Sequence, residues 1–204
     1  MTDRRSDVPL FPLNTVLFPG GVLPLRIFEQ RYLEMAKGCL RDGAPFGVCL
    51  IREGAEVGAP ASHETLGCLA RITQWDMQQL GLLQVVTQGG ERFRVLATRI
   101  RADGLILADI ELLAEQADAP MPEQFGACRR LLERIVTEHG DRLFARPFLL
   151  DSSAWVGARL AEVLPLSAGL RQQLLELDDN LQRLEIMQRL LAQSALAPDG
   201  SGQS

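Results

Sequence analysis

The chain has 204 residues, a net charge of −5 and a sequence pI near 5.1. These values provide no net electrostatic drive toward nucleic acid or an anionic membrane surface. The hydrophobic fraction of 47% and the charged fraction of 23% are typical of a soluble globular protein. A chain of this length can bury about 70% of the surface that its unfolded form exposes, so a sizeable core is expected.

Cysteine usage and the amino terminus predict a reduced, cytoplasmic protein. None of the four cysteines (Cys39, Cys49, Cys68 and Cys128) falls in a C-x-x-C pair, so a zinc knuckle is not expected, and each is interpreted as a small buried thiol. The first seven residues are charged rather than typical of a secretory signal. No apolar run is long enough to span a bilayer.

The first part of the chain predicts short strands that contain prolines. Residues 8–13 include Pro9 and Pro12, which cannot donate to a strand ladder, so this segment is predicted to be an edge strand or a bulged one. Short strands are predicted at 16–18 and 22–28, on either side of a Pro-Gly-Gly turn.

An amphipathic helix is predicted from 29 to 40. Its apolar residues recur at spacings of three and four, at Tyr32, Leu33, Ala36 and Leu40. Gly38 and Gly43 are expected to mark its end.

A β-rich region follows this helix. Strands are predicted at 46–51 and 66–75, with a polar loop from 52 to 64 between them. Residues 81–113 predict a three-stranded antiparallel meander that is interrupted at Gly89-Gly90 and turns at Asp103-Gly104 through a two-residue type I′ turn. Strands and helices do not alternate here as a doubly wound nucleotide fold requires.

Residues 114–122 predict a linker, and helices are predicted beyond it. Candidate amino-terminal caps are Asp151, Ser152 or Ser153 for one helix, Ser167 for the next, and Asp178 or Asp179 for the last. The predicted division is a β-rich domain at 1–115, a helical subdomain at 116–197 and a disordered tail at 198–204. The fold class is α+β, an antiparallel, closed or nearly closed barrel with one inserted helix, followed by a helical bundle.

Four segments resemble the Lon amino-terminal domain, the substrate-recognition module of Lon-type ATP-dependent proteases. They are PLFPLNTVLFPGGVLPLRIFEQRYLEM, ETLGCLARI, GGERFRVL and LAEVLPLSAGLRQQLLELDDNLQRLEIMQRLL. The resemblance runs from about Val8 to about Leu196. It implies a pseudo-barrel related to the PUA fold, a helical bundle, and recognition of unfolded polypeptide or another protein partner. Stand-alone bacterial proteins and cereblon-type receptors carry the same module.

The sequence does not predict an enzyme or a cofactor. It contains no G-x-x-x-x-G-K-[ST] motif, which would bind nucleotide phosphates. A Ser-Lys dyad would have to use Lys37, the sole lysine, which is predicted to lie on the solvent-exposed side of the helix. A small hydrolase with an active site that no motif announces is kept as an alternative. A small-ligand or RNA sensor of the PUA-like class is a second alternative, and the sequence does not fix the oligomeric state.

The joint between the third strand and the helix is the main candidate binding site. One interpretation is a polar patch that binds a partner. The other is a helix amino terminus, in which Glu29 lies at the positive end of the macrodipole, Phe28 packs into the barrel and Tyr32 buries its ring. The structural interpretation is favoured. The candidate binding residues are Phe18, Pro19, Arg26, Phe28, Glu29, Arg31, Tyr32 and His63.

Metal and RNA sites are less favoured. The two histidines, His63 and His139, stand beside single glutamates in different halves of the chain, so no metal site is predicted. Four arginines at alternating positions could form a basic face for RNA, or solvated outward residues of the meander: Arg92, Arg94, Arg99 and Arg101.

Overall fold

The structure is a computed structural model that describes residues 3–79, 81–114 and 118–196. Its strands are β1 (Arg4–Leu13), β2 (Val22–Ile27), β3 (Phe46–Glu53), β4 (Ser62–Gln79), β5 (Leu82–Ile100) and β6 (Ile106–Leu112). Its helices are α1 (Gln30–Asp42), α2 (Gly126–Leu143), α3 (Ser153–Val163), α4 (Ala168–Glu176) and α5 (Asn180–Leu196), with a 3₁₀ turn at Glu123–Phe125.

The chain forms two compact units. The first consists of Met1–Glu115 and Leu166–Glu176, so it contains the six strands, α1 and α4. The second consists of Gln116–Pro165 and Leu177–Ser204 and contains α2, α3 and α5. The tail predicted at 198–204 lies outside the described residues, as does part of the predicted linker.

The six strands form one sheet in the order β2-β5-β4-β3-β1-β6, and β5 also pairs with β6. Five of the strands therefore follow one another in a cycle of pairings, with β2 added to β5. The α+β class is confirmed. The antiparallel prediction is wrong for one pair, because β1 and β3 run parallel, connected through β2 and α1. A helix between two strands provides the long connection that parallel pairing needs.

The prolines of β1 lie where the strand pairs on one side. Pro9 lies opposite Leu107 of β6, whereas Pro12 lies opposite Cys49 of β3. The pairing passes from β6 to β3 at Leu10, so each proline pairs with one neighbouring strand and removes at most one ladder hydrogen bond. The register shift of β1 lies between Arg5 and Val8, before the segment predicted as an edge or bulged strand, and β1 is not an edge strand.

The first two strands predicted for the meander are one continuous strand, β5. It passes through Gly89 and Gly90 without a break. A Cβ atom at Gly89 would lie 2.1 Å from the carbonyl oxygen of Phe18, so the glycine permits close approach of another backbone segment. The Gly20 N–H donates to Gly89 O, and the Gly89 N–H donates to Gly21 O, both at 2.8 Å.

Two other local predictions are wrong. Residues 16–18 are buried but form no strand, because they are held in the loop that docks on Gly89. The turn before β6 is a three-residue loop, in which Gly104 N–H donates to Arg101 O and Arg101 N–H donates to Leu105 O. Only Gly104 has a positive φ, of 86°, as expected for a type I turn followed by a bulge rather than a type I′ turn.

Helix α1 extends beyond its predicted end. Gly38 lies inside the helix, and Gly43, with φ of 63°, ends it by donating its N–H to Cys39 O. Its buried side includes Tyr32, Leu33 and Ala36, which pack in the main core of the first unit. The predicted stripe is thereby confirmed for these three residues.

Helix α4 is part of the first unit because side chains connect it to the sheet. Gln172 Nε2 donates to Leu66 O at 3.0 Å, and Arg92 Nη1 donates to Leu175 O at 2.9 Å. Leu174 and Leu175 are buried.

The predicted helix caps are confirmed for three helices. The Ser152 hydroxyl accepts from Trp155 N at 2.9 Å, Ser167 accepts from Leu170 N at 3.2 Å, and Asp179 accepts from Leu181 N at 2.8 Å. In the second unit, the fully buried apolar side chains include Cys128, Leu132, Val156, Leu160, Leu184 and Met187. Within the described residues, no helix is both long and apolar enough to cross a membrane.

Candidate functional site

A small cavity lies beside the amino terminus of α1. Its lining consists of Phe11, Arg26, Ile27, Phe28, Glu29, Tyr32, Glu56 and Val57. Its volume is ≈ 40 Å³. A single water needs about 10–15 Å³ by this measure, so the cavity has space for about three waters, which is close to the size of one branched aliphatic side chain.

Two apolar side chains remain exposed at this cavity. Phe28 is 56% exposed and Val57 is 53% exposed. The prediction that Phe28 packs into the core is therefore wrong, because the chain leaves β2 at Ile27, which takes the buried position instead. The cavity consequently has an apolar wall that is accessible to a partner.

The opposite part of the lining is buried and aromatic. The rings of Phe11 and Tyr32 are stacked, with centroids 4.0 Å apart and planes 19° apart. Burial raises the pKa of Tyr32, the neighbouring Arg31 charge opposes this shift, and Glu29 and Glu56 add to it. The Tyr32 hydroxyl therefore stays protonated at neutral pH.

Arg31 supports the site from within the protein. Its side chain is 6% exposed, and its Nη2 lies 2.7 Å from Glu29 Oε2. Its Nη1 donates to Gly104 O at 3.2 Å, and its guanidinium carbon lies 4.7 Å from the centre of the Tyr32 ring. These contacts connect the start of α1 to the turn before β6, so Arg31 is a positioning residue rather than a surface contact.

The loop between β3 and β4 covers one side of the cavity. Gly54 and Gly58 have φ of 107° and 95°, conformations that glycine adopts at little cost, and they flank Glu56 and Val57. The Glu56 carboxylate accepts from Asn14 N at 2.7 Å, and Glu29 Oε1 accepts from Gly58 N at 2.6 Å. Two carboxylates thus hold this loop in place beside the cavity.

The structure brings four of the eight candidate residues together at the cavity: Arg26, Phe28, Glu29 and Tyr32. Phe18 is fully buried, and Pro19 follows it in the loop that docks on Gly89. His63 lies on β4 opposite Ile51, with its Nδ1 2.8 Å from Glu64 O, and does not line the cavity.

Four lining residues were not among the candidates, namely Phe11, Ile27, Glu56 and Val57. Phe11 stands in an alternating strand pattern that indicates core. Glu56 and Val57 belong to the predicted 52–64 loop, whose glycines and alanine give no indication that one carboxylate and one apolar side chain turn toward α1.

A broader trough lies along another side of α1 and has a volume of ≈ 820 Å³. Lys37 lines it and pairs with Glu34 at 2.8 Å, on the exposed side of the helix as predicted. Burial raises the pKa of Cys39, another lining residue, to about 11. The Cys39 thiol therefore has little thiolate character at neutral pH.

The four arginines of the possible basic face do not act together. Arg92 is 3% exposed, so the expectation of an outward solvated residue is wrong for it. Arg99 pairs with Asp7, and Arg101 pairs with Asp103. The described part of the chain also contains no group of three His, Cys, Asp or Glu side chains that could hold a metal ion.

Comparisons with known proteins identify a family. The family model for the ATP-dependent protease La (LON) substrate-binding domain matches residues 7–193. The Lon protease of Anaeromyxobacter dehalogenans (strain 2CP-C) is 32% identical over 155 residues, which cover 65% of this chain and 18% of the protease. Lon protease 2 of Myxococcus xanthus is 28% identical over 197 residues, which cover 93% of this chain and 24% of the protease.

A solved structure supports the same assignment. The crystal structure of a Lon N-terminal domain protein from Xanthomonas campestris has a TM-score of 0.75 and 39% sequence identity. The match covers 92% of this chain and 98% of that one. In contrast, the chain spans less than a quarter of the length of the two proteases. On the family match and this structural similarity, the chain belongs to the LON substrate-binding domain family.

Proposed function

We propose that this chain is a non-catalytic binding module that recognises polypeptide segments through the apolar surface formed by Phe28 and Val57. The observation that carries the proposal is that both side chains are more than half exposed and line one cavity. Membership in a family described by substrate binding supports a protein partner rather than nucleic acid.

Apolar exposure at this place favours binding over a purely structural role. Single exposed apolar side chains are ordinary on protein surfaces. Here, two of them flank a concave space whose buried wall is an aromatic pair. An unfolded segment presents apolar side chains, and removing apolar surface from water favours their association with this surface.

The neighbouring strand offers a second means of contact. β2 pairs with β5 and with no other strand of the described sheet. An extended polypeptide can add to such an edge through backbone hydrogen bonds while one of its side chains enters the cavity. Pro24 has no backbone N–H, so it limits the number of consecutive hydrogen bonds that an added strand can form with β2.

The test measures binding of a reduced, carboxymethylated, fluorescently labelled protein that cannot fold. We expect Phe28→Ser combined with Val57→Ser to weaken binding about tenfold, since central apolar contacts dominate such interfaces. Leu96→Ser is the matched control, because Leu96 is 45% exposed on β5 and does not line the cavity. Equal affinities of the double variant and the control would reject this surface.

A further inference from the structure

We propose that the cavity binds the C-terminal residue of a polypeptide, with its apolar side chain inside and its α-carboxylate on Arg26. The inference rests on the proposed function and specifies the class of segment that this surface selects. Three observations carry it: a cation that has no partner among the described residues, two carboxylates that are already engaged, and the size of the cavity.

Arg26 is the cationic side chain of the cavity lining. It is exposed on β2, lines the cavity, and makes no hydrogen bond or ion pair with the described residues. The two carboxylates of the same lining already have partners. Glu29 binds Arg31 and Gly58 N, and Glu56 accepts from Asn14 N. A ligand group that complements Arg26 is therefore an anion or another hydrogen-bond acceptor, placed on the Arg26 side of the lining, away from the Glu56 carboxylate.

A carboxylate fits this position better than a neutral acceptor. The guanidinium presents its N–H donors in a planar fork that matches the two oxygens of a carboxylate. The pair would remain close to solvent, so its contribution is modest and corresponds to about fivefold in affinity.

The size of the cavity favours a terminal residue over an internal acidic one. The apolar wall and Arg26 belong to a lining that has room for about one aliphatic side chain. In a C-terminal residue the side chain and the carboxylate branch from the same Cα, so one residue reaches both. In an extended internal segment, neighbouring side chains point to opposite faces, which directs an adjacent Asp or Glu away from the cavity.

The test uses four labelled octapeptides with one composition of glycine and serine around a single leucine. The first ends in leucine with a free carboxylate, the second ends in the leucine amide, the third carries leucine in the middle, and the fourth replaces leucine with serine. Binding is measured at constant ionic strength to the unsubstituted chain, Arg26→Gln and Arg94→Gln. Arg94 is the matched control, an exposed arginine of β5 outside the cavity lining.

We expect the free-acid leucine peptide to bind the unsubstituted chain and Arg94→Gln about fivefold more tightly than its amide. In Arg26→Gln these two peptides should bind equally. The peptide with leucine in the middle should bind the unsubstituted chain no more tightly than the amide, and binding as tight as that of the free-acid leucine peptide would overturn the inference. Equal binding of acid and amide to the unsubstituted chain, with both tighter than the serine peptide, would overturn this inference and leave the proposed function intact. The same loss in both arginine variants would also overturn it. Equal binding of the leucine and serine peptides would overturn both proposals.

Discussion

Glu29 and Arg31 form an ion pair although they are two residues apart at a helix start, a spacing that does not bring side chains together within a helix. The pair forms because Glu29 is the residue that precedes α1 and has extended backbone dihedrals, φ −72° and ψ 134°. Its side chain makes no cap hydrogen bond to α1, so both oxygens are available for Arg31 and Gly58 N. One carboxylate therefore connects the helix start, the loop beside the cavity and, through Arg31, the turn before β6.

Removing one partner of this pair should destabilise the chain. We expect Arg31→Met to lower the free energy of unfolding by about 3 kcal/mol, because Glu29, whose side chain is 19% exposed, would be left without its counter-ion. Urea denaturation followed by circular dichroism measures the change.

The control is Lys37→Met, which removes an exposed ion pair with Glu34 and should lower the free energy of unfolding by no more than about 0.5 kcal/mol. If Arg31→Met and Lys37→Met were equally mild, the connecting role assigned to Arg31 would be wrong.

Two glycine substitutions should have opposite effects on stability. Gly89→Ala places a Cβ 2.1 Å from Phe18 O, so the docked loop must move, and we expect a loss of about 3 kcal/mol. Gly38→Ala meets nothing within 4 Å inside α1 and should stabilise the chain by about 0.5–1 kcal/mol. Thermal denaturation of the two variants provides the comparison, and destabilisation by Gly38→Ala would contradict the open space described at that position.

Stability should decrease in alkaline solution. Burial raises the pKa of Cys39 to about 11 and that of Cys49 to about 12, from the ordinary thiol value of 9.0. Above pH 9 the unfolded chain loses thiol protons that the folded chain keeps, so the unfolded state binds fewer protons and stability falls as pH rises. The stabilising effect is complete below pH 9 and is lost through the folded-state pKa values.

Midpoints of thermal unfolding between pH 7 and pH 11 measure this effect. Cys49→Ala should make the alkaline decrease shallower. A thiol reagent at pH 7.5 should leave Cys39 and Cys49 unmodified in the folded chain and modify them in urea. Rapid modification of either thiol without urea would contradict the burial described for it.

The loop beside the cavity should open when its contact with Asn14 is removed. Glu56→Ala deletes the acceptor of the Asn14 N–H, and a hydrogen bond to a charged group contributes about 1.5–3 kcal/mol. We expect the Asn14 amide to exchange with deuterium at least about tenfold faster in this variant. Glu53→Ala, a substitution of an exposed residue at the end of β3, is the control. Unchanged exchange in Glu56→Ala would show that the loop is held by other contacts.

Local sequence patterns predicted the helices and their caps well. The helical period identified α1, and the hydroxyl and carboxylate caps of α3, α4 and α5 are supported by specific N–H contacts. These features depend on residues within one or two turns of one another. The parallel pairing of β1 with β3 and the passage of β5 through Gly89 depend on distant segments, so the local pattern did not reveal them.

The candidate site was predictable where it depends on neighbouring residues and not where it depends on a distant segment. The joint between β2 and α1 combines charged and aromatic residues in a short stretch, and four of the candidate residues near it line the cavity. Val57 contributes from a separate loop, and the exposure of Phe28 follows from where β2 ends, which the apolar pattern placed one residue too late.

The position of α4 imposes an order on biosynthesis. All six strands have been translated once residue 112 has left the ribosome, but the helix that accepts from Arg92 and donates to Leu66 is encoded at 168–176. The segment that contains α2 and α3 must therefore be translated before α4 can form its contacts with the sheet. Premature termination before residue 168 would release a protein that lacks the hydrogen bonds from α4 to Leu66 and Arg92.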